Sequence, residues 1–192
     1  MKKIILLLLL LAVNYNSFAV SKEDKERESS YLLQIKNEND SDAMFDLGLL
    51  YDEQEKYDLA EKYYLMAVKY NNGSAMTNLG LIYENQKKYD LAEKYYLMAV
   101  EEESDTGMYN LGLLYDNQKK YTLAEKYYLM AIQKNYSDAM YNLALLYDNQ
   151  EKFSLAEKYY LMAIKENDSD AMYNLGLIYD NQKKYPLAEK YY

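Results

Sequence analysis

LGLLYDNQKKYTLAEKYYLMAI, residues 111–132, decides the fold, because nearly the same string stands 32 positions before it and 32 positions after it. Its first block, LGLLYD, recurs as LGLLYD at 47–52, LGLIYE at 79–84, LALLYD at 143–148 and LGLIYD at 175–180. Its second block, LAEKYYLMA, opens at Leu59, Leu91, Leu123 and Leu155, with a fifth copy that runs from Leu187 to Tyr192. A fixed period of this length is the signature of small identical units stacked in an array, each too small to bury its own apolar face.

Each unit reads as two helices. From Asp105 to Asn117 the residues Met108, Leu111, Gly112 and Tyr115 fall at i, i+3, i+4 and i+7, one stripe of an α-helix. From Thr122 to Gln133 a second stripe comprises Ala124, Tyr127, Tyr128 and Ala131. Gln118 to Tyr121 forms the turn between them, and Lys134 to Ser137 leads into the next unit. Asp58, Asp90, Thr122 and Ser154 stand three residues before Glu61, Glu93, Glu125 and Glu157, the spacing of a capping box. Pro186 occupies that column in the fifth copy, where a helix start tolerates proline. Ser41, Ser74, Asp105, Ser137 and Ser169, or their neighbours, introduce the first helices.

Small residues recur where helices must approach: Gly48, Gly80, Gly112, Ala144 and Gly176 on the first helix, and Ala60, Ala92, Ala124, Ala156 and Ala188 on the second. They make room for the rings of Tyr51, Tyr83, Tyr115, Tyr147 and Tyr179 and of Tyr64, Tyr96, Tyr128 and Tyr160, with axes about 8–10 Å apart. The first-helix stripe leaves Asp42, Phe45, Leu49, Asp52 and Glu53 on the opposite face, unused by packing.

Composition narrows the chemistry. The chain carries no cysteine, histidine or tryptophan, which removes thiol nucleophiles, imidazole bases and the usual zinc ligand sets. No cluster of catalytic residues breaks the repeat, so the expectation is a protein that is not an enzyme and needs no cofactor or metal. An acidic ladder with rungs about 10 Å apart is too widely spaced to share one calcium ion, which binds oxygens at about 2.3–2.6 Å. Residues 1–19 read as an export signal: Lys2 and Lys3, an apolar run from Ile4 to Val13, then Ser17 and Ala19 at the cut. Ten apolar residues fall short of the about 20 that a membrane span needs. The expected location is therefore periplasmic or extracellular. Without the leader the balance is 20 basic against 31 acidic residues, a net charge of −11. That sign disfavours nucleic acid and anionic lipid as partners.

The order Leu111, Gly112, Tyr115, Tyr121, Ala124, Tyr128, Ala131 resembles the tetratricopeptide repeat, and the resemblance runs from residue 41 to residue 192. The period is 32 instead of the usual about 34, and no proline closes the second helix. Between units, Ala163 to Gly176 has the spacing of the related Sel-one-like repeats, although Gln118 to Lys120 lacks their longer glycine-bearing loop. The resemblance implies an all-α, right-handed α-solenoid of stacked antiparallel helix pairs. Its units are 41–72, 73–104, 105–136, 137–168 and an incomplete 169–192, preceded by a linker and capping helix at 20–40.

In that family the leftover first-helix face lines the concave side of the superhelix, where peptides or partner helices lie. Carried over by column, it nominates an aromatic row of Phe45, Tyr109, Tyr141 and Tyr173, with Thr77 in the second copy. A leucine row follows: Leu49, Leu81, Leu113, Leu145 and Leu177. An acidic row comprises Asp52, Glu84, Asp116, Asp148 and Asp180, flanked by Asn117 and Asn149. Such a wall suits a protein or peptide offering basic and apolar side chains. The basic clamp for a terminal carboxylate known in the superfamily is missing from these columns. The expected function is a non-catalytic interaction scaffold. Stacking of sugars on the tyrosines in envelope assembly, and a shortened copy of a longer repeat protein, stand as alternatives. The uncapped last unit offers a surface for self-association.

Overall fold

A computed structural model describes residues 21–192, so the expected export signal lies outside the described residues. Among the described residues there are eleven α-helices and no strand. They are α1 (Lys22–Glu38), α2 (Ser41–Glu53), α3 (Tyr57–Val68), α4 (Gly73–Asn85), α5 (Tyr89–Glu101), α6 (Asp105–Asn117), α7 (Tyr121–Gln133), α8 (Asp138–Asp148), α9 (Phe153–Lys165), α10 (Ser169–Asn181) and α11 (Tyr185–Tyr191). The described residues divide into two compact units, one ending at Ala75 and the other spanning residues 76–192, with the boundary in the first turn of α4.

In the first unit α1 packs on α2 and α2 on α3. The Tyr51 hydroxyl donates to Glu28 Oε1 on α1 at 2.7 Å, and Asn72 Nδ2 donates to Asp42 Oδ1 at 3.0 Å. In the second unit each helix from α5 to α11 packs on the next, and the first helices α6 and α8 also touch directly. This is the stacked antiparallel helix-pair fold of an α-solenoid.

The turns explain the 32-residue period. Ten residues other than glycine adopt positive φ, between 50° and 67°, and they recur every sixteen positions from Asn39 to Lys183. Turns within a unit use Glu55, Lys87, Lys119, Glu151 and Lys183; turns between units use Asn39, Asn71, Glu103, Asn135 and Asn167. Lys119 N–H donates to Asp116 O and Lys120 N–H to Tyr115 O, both at 2.8 Å. Glu103 and Ser104 bond to Val100 O and Ala99 O in the same way, at 3.0 and 2.9 Å. Both kinds of turn are thus Schellman closures, in which a left-handed residue lets the chain satisfy the last carbonyls of a helix. One half-unit is a helix plus this short turn.

That closure overturns the expected capping box. Helices α3, α5, α7, α9 and α11 begin one residue earlier than expected, so Tyr121 belongs to α7 and not to the turn. Their caps are Lys56, Lys88, Lys120, Lys152 and Lys184, without a side-chain cap bond. Asp58, Asp90, Thr122 and Ser154 fall second in the helix. There the two aspartates complement the positive end of the helix dipole but reach no free N–H of the cap. The glutamates do other work: Glu93 Oε1 accepts from the Tyr115 hydroxyl of the next repeat at 2.8 Å, and Glu157 from Tyr179 at 2.7 Å.

The core follows the sequence stripes. Met108, Leu111, Gly112 and Tyr115 on α6, and Ala124, Tyr127, Tyr128 and Ala131 on α7, are all buried. Leu50, Leu114, Leu146 and Ile178 add a buried column that the stripes omit. Each fully buried leucine contributes about 1.5–3 kcal/mol. The small-residue column works as expected: a Cβ on Gly112 would meet Tyr128 Cδ1 at 2.6 Å, and one on Gly48 would meet Tyr64 Cε1 at 2.5 Å. The ring of the second helix lies directly on the backbone of the first.

Candidate functional site

The nominated face is described for each compact unit separately. In the first, Phe45, Leu49 and Asp52 are half-buried, and the Phe45 ring lies 5.8 Å from Tyr64. In the second, Tyr109 lies 6.2 Å from Tyr128 and Tyr141 lies 6.1 Å from Tyr160. Tyr173 lies 5.9 Å from Tyr192 and is 57% exposed. The hydroxyls of Tyr109 and Tyr141 accept from Asn142 Nδ2 and Asn174 Nδ2 of the following repeat, each at 3.0 Å. These rings therefore tie one repeat to the next while a part of their surface stays exposed. Thr77 is the exception in the column: it is buried, with Oγ1 3.2 Å from Ser104 Oγ.

Beside the aromatic row, Leu113, Leu145 and Leu177 are half-buried and Leu81 is 39% exposed. Glu84, Asp116 and Asp148 are half-buried, while Asp180, Asn117 and Asn149 are exposed. Desolvation holds the carboxyls of Asp116 and Asp148 above the ordinary aspartate range. Among the described residues neither one forms an ion pair. A half-buried carboxylate without a counter-ion costs stability at neutral pH.

The acidic row differs between copies in one respect. In the second copy the Tyr96 hydroxyl donates to Glu84 Oε2 at 2.8 Å, and burial together with that bond pushes the phenol well above its usual range. In the third and fourth copies the carboxylate is an aspartate, one methylene shorter. The hydroxyls of Tyr128 and Tyr160 are buried there without a hydrogen-bond partner. Both phenols are pushed upward by burial first, and then by the negative charge of Asp116 or Asp148 nearby.

Sequence reasoning missed Tyr136. Its column otherwise holds residues whose side chains cap the first helix: Asp40, Asn72, Ser104 and Asp168 accept from the N–H groups of Ala43, Ala75, Gly107 and Ala171 at 2.8–3.1 Å. Tyr136 has no such oxygen in reach, so α8 starts later, at Asp138, after an uncapped Ser137. Its ring lies 5.0 Å from Tyr109 and thickens the aromatic row at that repeat. Comparing the five copies column by column would have exposed the substitution. The asparagine staple at Asn142 and Asn174 was also overlooked. Shallow open troughs lie along the second helices, as at Glu93, Lys94, Leu97 and Met98 on α5. Among the described residues no group of three or more acidic side chains is placed to hold a metal ion, and no helix is long and apolar enough to cross a membrane.

Tetratricopeptide repeat profiles match residues 45–107 and 141–192, and a second profile of the same description matches 105–133. No curated protein matches the chain. Among solved structures, the chain is similar to c5321, a protective antigen of uropathogenic Escherichia coli with an SLR fold. Identity there is 21% over 78% of this chain and 35% of that one, with a TM-score of 0.69. It is also similar to a Sel1 repeat protein from Oxalobacter formigenes, at 27% identity over 79% of this chain and 66% of that one, TM-score 0.65. A third similarity is to YrrB, a TPR protein with an unusual peptide-binding site, at 18% identity over 84% and 88% of the two chains, TM-score 0.62. The chain thus spans about a third of the first of these structures and about two thirds of the second. The repeated helix pairs and the profile matches lead to one conclusion: this chain belongs to the tetratricopeptide repeat family.

Proposed function

We propose that the protein is a scaffold whose first-helix face, in the repeats of residues 76–192, binds a peptide segment or partner helix that carries basic and apolar side chains. The carrying observation is the pair of half-buried, unpaired carboxylates, Asp116 and Asp148, which neighbour the same Tyr128 and Tyr160 that the Tyr109 and Tyr141 rings pack on. Charges kept at a stability cost in a fold that does not need them are what a binding surface requires. The fold is that of an interaction scaffold generally without catalytic activity, and a structurally similar protein is described as having a peptide-binding site. The leader-like sequence of residues 1–19 supports action outside the cytoplasm, in a periplasm or beyond the cell.

The test is capture of partners from the host envelope fraction by the full chain and by the variant Asp116→Asn/Asp148→Asn/Tyr141→Ala. A partner lost by the variant, at unchanged helicity, supports the face. A partner retained in full removes the assignment. Capture of glycan in place of protein on an array would transfer the same face to the sugar-binding alternative.

A further inference from the structure

The second copy of the acidic site is internally closed, and the third and fourth are not. Glu84 reaches the Tyr96 hydroxyl, so that carboxylate already holds a hydrogen bond of 2.8 Å from a neutral donor. Asp116 and Asp148 occupy the same column one methylene short. The buried Tyr128 and Tyr160 hydroxyls beside them, on residues with 0% exposure, have no hydrogen-bond partner. Buried polar groups almost always find partners, and two orphans in adjacent repeats, each next to an unpaired carboxylate, mark a place built for something else.

Resting on the proposed inner-face reading, we infer that Asp116 with Tyr128 and Asp148 with Tyr160 form two successive cation subsites, each taking a lysine or arginine side chain of the partner. Glu84 with Tyr96 forms no such subsite. An ammonium or guanidinium supplies only donors. The carboxylate takes the charge with both oxygens uncommitted, while the phenol behind it, sealed from solvent, donates nothing to them. Where glutamate already receives the phenol hydrogen, part of that capacity is spent, and the cation gains less by approaching.

The spacing then fixes a register. α6 and α8 are in direct contact, and touching helices lie about 8–10 Å apart. A polyproline II segment advances about 3.1 Å per residue with three residues per turn, so positions i and i+3 share a face. Two subsites one repeat apart therefore read basic residues three positions apart in such a segment. Tyr109, Tyr141 and the leucine row lie alongside to receive the apolar residues between them.

The experiment is a selection of random-sequence peptides on the full chain, followed by measured affinities of the selected peptides for three variants. Expected are peptides enriched in lysine or arginine pairs three apart. Asp116→Glu should lower their affinity about tenfold or more while raising the melting temperature, because the longer acid reaches the Tyr128 hydroxyl. Glu84→Asp should lower the melting temperature and favour peptides with a third basic residue, three further along. Unchanged affinity in Asp116→Glu, with the melting temperature raised, overturns the inference. Selected peptides without basic pairs overturn it too. In that case, affinity lost on Tyr141→Ala would leave the inner-face reading standing, and affinity unmoved by Tyr141→Ala would remove both.

Discussion

Tyr115 and Tyr128 belong to the same repeat, and both rings are buried, yet their hydroxyls meet opposite fates. Tyr115, on the first helix, donates to Glu93 of the preceding repeat; Tyr128, on the second, has no partner. The first hydroxyl belongs to the joint between repeats, where Tyr179 repeats it through Glu157. The second points toward the face with the unpaired carboxylate. Identical residue types in one periodic chain thus separate into those that hold the stack together and those left over by it. What separates them is whether a carboxylate stands within hydrogen-bond reach.

Four variants break or sharpen that contrast, and a fifth serves as its control. Tyr128→Ala removes a ring with 0% exposure that lies on the Gly112 backbone, and should cost about 3–5 kcal/mol in urea unfolding. Tyr115→Phe keeps the stacking on Tyr127 at 5.6 Å but forfeits a bond to a charged group, a loss of about 1.5–3 kcal/mol. Tyr128→Phe should have the opposite sign, a gain of about 1 kcal/mol, since it deletes a buried hydroxyl that nothing satisfies. A loss equal to that in Tyr115→Phe would show that the two hydroxyls are equivalent after all.

The fourth concerns pH. The carboxyls of Asp116 and Asp148 are raised in the folded chain above the ordinary 3.8. The stability they contribute is therefore fully present below pH 3.8 and lost as pH rises through their folded values. Asp116→Asn/Asp148→Asn should flatten the melting curve against pH across that window and leave the protein more stable than the parent at neutral pH. The smallest effect is Lys119→Gly, which should gain about 0.5 kcal/mol as glycine relieves the left-handed backbone at a turn outside the contrast.

The helix pairs were legible because packing imposes a period on residue type. Met108, Leu111, Gly112 and Tyr115 could hardly occupy anything but one buried stripe, and Gly112 announced the ring that would lie on it. The turns were not legible in the same way. A Schellman closure is usually advertised by glycine, and here lysine, glutamate and asparagine take that conformation. The spacing therefore puts the start of the second helix one residue late and offers a capping box where Lys120 is the cap. Glu93 and Glu157 matched the motif by spacing, but a tyrosine from the next repeat, remote in sequence, claims them. The candidate face was legible as columns left over from packing. Its internal differences were not, since the distinction between Glu84 and Asp116 looks conservative until the facing hydroxyl is seen. Tyr136 was hidden for the opposite reason: in a chain with 26 tyrosines, one more attracts no notice.

The left-handed residue that returns every sixteen positions gives the junctions of the array one shared kind of bend. A 32-codon block copied or deleted by recombination rejoins at a bend of the same kind as the one it left, so no new loop has to be invented. Reach can then lengthen or shorten in single genetic events while the stacking code stays intact. Copy number becomes an adjustable ruler for the length of the stacked array.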